Sequence, residues 1–519
     1  VRRIVLFFIL LALAAIVVVG ALRSRQVAET PLDQLKARFA RKHVPSVDHS
    51  KLPALQQEFV SARDVTAACL SCHTERGREV MASSHWNWTR REYIPGRGIH
   101  TIGKKNILNN FCIGTSSNLE GCSSCHAGYG LTDASFDFND PKNIDCLACH
   151  DNTGTYAKTR GGMPAASVNL RDVAQHVGRP QRTNCGTCHF FGGGGNNVKH
   201  GDLEQAMFDP PRTLDVHMGS DGANLQCVDC HQAENHQMLG KSYALSSMNR
   251  SRVTCEQCHT ARPHGDDLLD AHALEVACQT CHIPEYARAN ATKMVWDWST
   301  AGRLRDGKPF EEKDAQGNIT YASIKGTFTW QSNVTPEYVW FDGTAGHYLL
   351  GDTIDARGPV KVNTLYGGAS DPDAKIVPVK VHRATQIYDP ETKLLVQPKL
   401  YAAEPGQGGF WKDFDWQSAA AEGMKAVNLP YSGKYAFVRT EVSLPLNHMV
   451  APKEQALSCN ACHAREGSRL AGVGGVYLPG RDRNRLVDGL GLLMLAGMVG
   501  LVALHGAARG VASRKRGQR

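Results

Sequence analysis

At 519 residues the chain could hold two to four ordinary domains, yet only 7% of it is aromatic and 50 residues are glycine, which is thin for several self-sufficient hydrophobic cores. Lys and Arg number 58 against 50 Asp and Glu, a formal +8, but no Gly-rich dinucleotide fingerprint or phosphate loop stands out. The 17 cysteines and 22 histidines are what set this composition apart.

In chain order, Ile4–Leu22 is an uninterrupted apolar run behind Arg2 and Arg3. At about 1.5 Å per residue a helix over it reaches roughly 28 Å, enough to cross a bilayer. An uncleaved anchor is the favoured reading of residues 1–25. A secretory signal cut near Val19-Gly20-Ala21 is the rival. Either places the chain beyond it outside the cytoplasm. Residues 23–65 are a polar lead-in with a helical pattern around Leu32–Ala40.

Seven Cys-x-x-Cys-His motifs lie within 66–285: Cys69–Cys72–His73, Cys122–Cys125–His126, Cys146–Cys149–His150, Cys185–Cys188–His189, Cys227–Cys230–His231, Cys255–Cys258–His259 and Cys278–Cys281–His282. An eighth, Cys459–Cys462–His463, comes much later. They are numbered 1 to 8 here in chain order. Two thiols at this spacing bond one porphyrin, and the adjoining histidine gives its imidazole to the iron. Zinc sites would not require His at that position every time. Eight covalently bound c-type haems are therefore expected. Their propionates offset the formal positive charge, so Lys and Arg read as propionate partners and no nucleic-acid partner is expected.

Residues 26–285 read as a seven-haem core, 286–450 as an excursion without motifs and 451–485 as the segment of the eighth haem. The excursion carries Trp296, Trp298, Trp330, Trp340, Trp411 and Trp416, and Ile324–Trp330 and Glu337–Phe341 alternate like short strands. A second apolar run, Leu486–Ala508, precedes Arg514, Lys515, Arg516 and Arg519. Length and basic tail favour a membrane span over 486–519 with its end in the cytoplasm, although Arg481, Arg483 and Arg485 on the other flank oppose that orientation. A buried C-terminal helix is the alternative. The expected fold is thus a loop-rich multihaem cytochrome c. It is mainly α, with a small β-containing excursion, a haem-packed core and two terminal transmembrane helices.

Iron with two protein ligands suits electron transfer, whereas a weakly held sixth position admits substrate. Candidate second ligands are His85, His200, His217, His236, His264, His272 and His448, with His200 the weakest. His100, His176, His347 and His382 are reserves, and His43 and His49 are set aside in the lead-in. Two residues break the histidine pattern. Cys112 is the one cysteine outside a motif, and it is an inert buried residue, a partner for another chain or a reactive thiol. Lys199 follows Gly192–Gly195. It is either a solvated lysine or, if burial lowers its pKa, an amine ligand.

The stretches Asn109–Gly114, Gly121–Gly130 (GCSSCHAGYG) and Asn184–Asp202 (NCGTCHFFGGGGNNVKHGD) resemble the octahaem c-type cytochromes of the tetrathionate reductase family. The resemblance covers roughly residues 60–470. It implies seven bis-histidine haems and one unusual haem at motif 2, with His126 proximal, Lys199 distal and Cys112 the pocket thiol. It adds Asn109, and less closely Lys241, to the pocket. It implies reduction of small sulfur or nitrogen oxyanions such as tetrathionate, nitrite and hydroxylamine. Arg90, Arg91, Arg97, Lys104 and Lys105 could draw such anions in, or pair with propionates. The donor expected is a quinol-linked membrane protein, with a cytochrome b-type subunit one form of it. His505, in the second apolar run, is either a ligand shared with such a partner or an interfacial residue. The whole would sit in the inner membrane with its main domain in the periplasm. A non-catalytic relay and an oxidase running the same site backwards are the competing functions.

Overall fold

The computed structural model describes residues 46–242, 246–478 and 482–516. The N-terminal apolar run, the Leu32–Ala40 pattern and His43 lie outside the described residues.

The motif-bearing half is built of short helices joined by loops. Its longest helix, α1 (Ala62–Cys72), begins at a capping box in which Ser61 and Asp64 satisfy each other's backbone N–H, and its last turn carries motif 1. Helix α2 (Arg182–His189) carries motif 4 and α3 (Asp267–Glu275) lies between motifs 6 and 7. The lead-in is folded onto this half: Leu55 packs with Val65, Leu147, Val173 and Ala174. A hairpin of β1 (Arg90–Ile94) and β2 (Gly98–Ile102) sits between motifs 1 and 2.

The expectation of a mainly α chain with a small β excursion is not met. The largest regular structure is a nine-stranded sheet drawn from the excursion. Its strands are β3 (Thr292–Asp297), β4 (Glu311–Lys313), β5 (Ile319–Ala322), β6 (Gly326–Gln331), β7 (Glu337–Phe341), β8 (Val360–Lys361), β9 (Lys375–Asp389), β10 (Leu394–Leu395) and β11 (Ala436–Pro445). The path runs β8-β11-β9-β3-β6-β5-β4, and β7 and β10 also pair with β9. Helix α4 (Trp416–Ala426), capped by Asp415, packs Trp416, Ala419, Ala420 and Met424 into the same core.

Strand β9 is the spine, and its alternation explains the sheet's function. Val379, Val381 and Ile387 on one face bury apolar surface. On the other face Lys380, His382 and Gln386 are polar yet buried, and buried polar groups need partners. Those partners come from the motif half. Leu108, Phe111, Ile113 and Val198 share one core with Trp296, Trp298 and Phe328, so the sheet presses against the two loops that hold Cys112 and Lys199.

The last helix, α5 (Arg485–Arg516), is capped by Asn484, whose side chain accepts from Leu486 and Val487 N–H. Within Arg485–Arg514 an 18-residue stretch has a mean hydropathy of 2.1, and none of that stretch is buried against the rest of the described chain.

Candidate functional site: one unpaired motif histidine among eight

Two iron–nitrogen bonds of about 2 Å each, plus the distance from ring nitrogen to ring centre, put the imidazoles of a bis-histidine haem roughly 6 Å apart. Seven motif histidines meet a second histidine at that separation. His49 faces His73 at 6.3 Å and His85 faces His189 at 6.3 Å. His236 faces His150 at 6.5 Å, His448 faces His231 at 6.2 Å and His217 faces His259 at 6.1 Å. His264 faces His282 at 6.3 Å and His272 faces His463 at 6.1 Å.

Several of the outer ring nitrogens are held. His150 donates to Gly178 O, His231 to Leu239 O and His272 to Leu268 O, each from Nδ1, at 2.8, 3.0 and 2.8 Å. His236 donates to Glu79 and His264 to Asp270. Such partners fix the tautomer and leave Nε2 for a metal. Burial also pushes the pKa of His85, His150, His217, His231 and His282 down, keeping them neutral as ligation requires. At His448, burial acts in the same direction, but the hydrogen bond and charge of Asp202 outweigh it and raise the pKa. These pairs fit c-type haem.

Two expectations change here. His200 faces no motif histidine among the described residues; it is half-buried, and burial pushes its pKa well down while the charge of Asp202 opposes this. His49, set aside with the lead-in, stands in the row instead, because a turn capped by Asp48 brings it over motif 1. Of the reserves, His100 contacts Arg97 O, His176 contacts Asp172, and His382 is bound to Asn110. His347 lies buried on a short strand, near Ser246, Glu92 and Arg90.

His126 of motif 2 differs from the other seven. Aromatic rings surround it: Trp86 at 5.3 Å, Trp88 at 5.1 Å, Phe136 at 5.6 Å and Phe138 at 6.0 Å. One ring nitrogen donates to Trp86 O at 2.6 Å, and the other is buried without a partner. It is Nε2 that is anchored to Trp86 O and Nδ1 that has no partner. Burial pushes its pKa down to about 4.

Beside it the chain gathers a thiol and several amines. Cys112 acts electrostatically on Cys122 and on Lys199, and Lys104 acts on both as well. Lys325 also acts on Cys122. Burial pushes the Lys199 ammonium down toward the neutral amine, and does the same to Lys325. Gly193 and Gly194 adopt φ of +88° and +91°, and a Cβ on Gly194 would lie 3.1 Å from Lys325 Nζ. The glycines thus let this loop turn beside the lysines.

Both loops are clamped by the sheet. Asn109 Oδ1 accepts from Phe111 N–H at 2.9 Å and Cys112 N–H at 2.7 Å, which fixes the turn bearing the thiol. Asn110 donates to His382 O and accepts from Gln386 and Thr440. Lys380 Nζ donates to Val198 O at 3.1 Å, Lys199 O at 2.9 Å and Thr292 Oγ1 at 2.6 Å.

Lys241 lies 3.9 Å from Glu92, next to Arg90 and Arg252. Of the other expected cations, Arg97 is engaged by Asp352 and Arg90 by Glu92. Lys104 lies over Trp88 and Lys105 over Phe138. Lys325 and Lys380 carried no signal in the sequence, since only the sheet's register brings them here.

The motifs are also brought into an order. Thiols shift one another's pKa as near neighbours between Cys69 and Cys146, Cys125 and Cys188, Cys185 and Cys227, and Cys255 and Cys278. At longer range Cys149 meets Cys185, Cys230 meets Cys258, and Cys281 meets Cys459 and Cys462. The neighbours therefore run 1-3-4-5-6-7-8, with motif 2 branching from motif 4.

Repeated C-x-x-C-H motifs with opposed imidazoles define a multihaem cytochrome c. A family described as "Cytochrome c bacterial" matches residues 293–466. The octahaem cytochrome c of Shewanella oneidensis is 43% identical, with a TM-score of 0.76, over 83% of this chain and 98% of that one. An uncharacterised protein of Archaeoglobus fulgidus is 26% identical over 37% of this chain and 80% of its own length. The chain belongs to the octahaem cytochromes c.

Proposed function

We propose that this chain holds eight covalent haems and reduces small sulfur or nitrogen oxyanions at motif 2, of the kind handled by the tetrathionate reductase family. The observation that carries this reading is the contrast within the molecule: seven motif histidines oppose a histidine, whereas His126 has none among the described residues and Cys122 is ringed by Cys112, Lys104 and Lys325, with Lys199 in the same group.

Haem supplies one-electron exchange at iron and, where the sixth position is weakly held, a place for substrate. His126 is the proximal residue and Lys199 the exchangeable one. Burial favours the neutral amine of Lys199, the form that can ligate; an incoming dianion favours its ammonium, the form that pairs with charge. Lys104 and Lys325 add positive charge beside Cys122 and so draw an anion. For tetrathionate, the Cys112 thiolate can displace one thiosulfate and form a Cys112–S–SO3 bond to the other. Two electrons then release the second thiosulfate and restore the thiolate.

The motif order 8-7-6-5-4-2 gives an electron path from the end of the chain next to α5 to His126, with motifs 3 and 1 as a side branch. In this reading α5 anchors the protein to the inner membrane, the haem domain faces the periplasm, and a quinol-linked donor, such as a cytochrome b-type subunit, feeds motif 8.

The test is electron consumption by the holoprotein with tetrathionate, nitrite and hydroxylamine, in the parent and in Lys199→Ala. Turnover with at least one substrate, lost in the variant, is expected. No turnover with any of them, together with a fully low-spin spectrum that added ligands do not change, would make the chain a relay and overturn the reading.

A further inference from the structure

The paired imidazoles are not equivalent in what stands behind them. At motif 3, His236 Nδ1 donates to Glu79 Oε2 at 2.9 Å. At motif 5, His448 Nδ1 donates to Asp202 Oδ2 at 3.3 Å. At motif 7, His264 Nδ1 donates to Asp270 Oδ1 at 3.0 Å. In each case the carboxylate stands on the non-motif imidazole. Motif 4 lies between motifs 3 and 5 in the thiol order, and neither ring of its His85–His189 pair carries a carboxylate among the described residues.

A carboxylate that accepts the outer N–H enriches the imidazole in electrons and sets a negative charge near the iron. Both effects favour the ferric state, which carries one more positive charge than the ferrous state, and both lower the reduction potential. Low local dielectric strengthens the effect when the carboxylate is buried and not neutralised by another cation.

We propose that Glu79, Asp202 and Asp270 are redox-positioning residues that lower the potentials of motifs 3, 5 and 7, so that an electron on motif 4, the neighbour of the Lys199 site, is flanked by two less readily reduced motifs. The proposal rests on the histidine pairing given above. It gives the two-electron chemistry at motif 2 a charged neighbour, with the haems on either side of that neighbour reluctant to take the electron back.

The three clamps are graded by their surroundings. The side chain of Asp202 is 4% exposed, and its other partners are the N–H groups of Asn447 and His448. Asp270 is as buried, but Arg262 comes within 3.6 Å. Glu79 is 10% exposed and shares its carboxylate with Arg76 at 2.8 Å. The effect on potential therefore falls in the order Asp202, Asp270, Glu79. Asp202 is also three residues beyond Lys199, so one loop serves both the site and the clamp on motif 5.

Ring geometry gives each effect its own signature. Parallel imidazole planes split the two iron orbitals that face them and give a rhombic low-spin resonance, whereas perpendicular planes leave those orbitals nearly degenerate and give a large-gmax signal. The planes are 25° apart at motif 5 and 10° at motif 7, but 68° at motif 3 and 74° at motif 4. The experiment is a redox titration of the holoprotein followed by electron paramagnetic resonance, in the parent and in Asp202→Asn, Asp270→Asn and Glu79→Gln. In Asp202→Asn one rhombic signal is expected to disappear at a higher potential than in the parent, with the others unmoved. Asp270→Asn shifts another rhombic signal less, and Glu79→Gln shifts a large-gmax signal least. Unchanged or lowered midpoints in Asp202→Asn overturn the proposal; if that variant does not accumulate, Asp270→Asn decides by the same criterion. His448→Met separates this from the pairing itself. If that change leaves every rhombic signal in place, the pairing is wrong, whatever the carboxylates do.

Discussion

Motifs 2 and 5 share the same five-residue grammar but have opposite surroundings. At motif 5, His231 looks across 6.2 Å at His448, and both outer nitrogens are tied, one to Leu239 O and one to Asp202. At motif 2, His126 is walled by Trp86, Trp88, Phe136 and Phe138, and the nearby polar side chains are amines and a thiol. The motif sets where a haem is attached; the residues opposite decide whether its iron is closed for electron transfer or open to chemistry. What differs between the two is supplied largely by the sheet, whose polar face holds the loops of Cys112 and Lys199 through Asn110 and Lys380.

This contrast can be broken from the motif 2 side. The largest expected effect is that of Lys199→Ala, a drop of about 10²-fold in kcat with the bis-histidine spectra unchanged. Equal kcat would remove Lys199 from the site. Cys112→Ser comes next and sharpens the choice of chemistry: tetrathionate turnover should fall by about tenfold or more while nitrite and hydroxylamine turnover persist. Equal losses on all three substrates would assign Cys112 to structure.

Lys380→Met keeps volume but leaves the Val198 and Lys199 carbonyls short of a donor, a loss of about 1–3 kcal/mol in stability. If Lys199 ligates as proposed, it should also broaden the spectrum of that iron, whereas a sharp, parent-like spectrum would show that the sheet does not position the loop. The smallest effect is expected from Lys325→Met, a rise of a few-fold in KM for anions with kcat held, read from initial rates at several ionic strengths.

Acidity offers a further test. Burial depresses the Lys199 pKa, so the neutral amine persists to lower pH than in an exposed lysine. Ligation is then present above that depressed value and is lost as pH falls through it. A high-spin band should grow on acidification of the parent. In Lys199→Ala it should be present throughout the range. A band that grows on raising the pH of the parent would contradict this sign.

Much of the site could be read in the sequence because the chemistry demands fixed spacing. Two thiols and a histidine within five residues are legible wherever they fall, and the odd Cys112 and Lys199 beyond its glycines are visible as departures from the histidine pattern. The pairing of distal histidines was less legible, since it depends on which loops cross. His49 stands over motif 1 because the lead-in packs on α1 through Leu55 and Val65, whereas His200, although close in sequence to motif 4, meets no motif histidine among the described residues. The extent of the sheet was also hidden. Strand β9 alternates through Val379-Lys380-Val381-His382, the pattern of a strand with one face in solvent, yet Lys380, His382 and Gln386 are buried, so the sequence does not show that both faces are covered. Lys325 and Lys380 reach the site by register alone, which sequence spacing does not display.

The central claim is that one iron in this protein has an amine opposite its motif histidine while the others have imidazoles. Near-infrared magnetic circular dichroism of the ferric holoprotein separates these two ligand sets directly. The account predicts a minor histidine–amine charge-transfer band alongside the dominant bis-imidazole band, with the minor band lost in Lys199→Ala and the dominant one untouched. A spectrum with bis-imidazole ligation alone, or a minor band that survives Lys199→Ala, would contradict it.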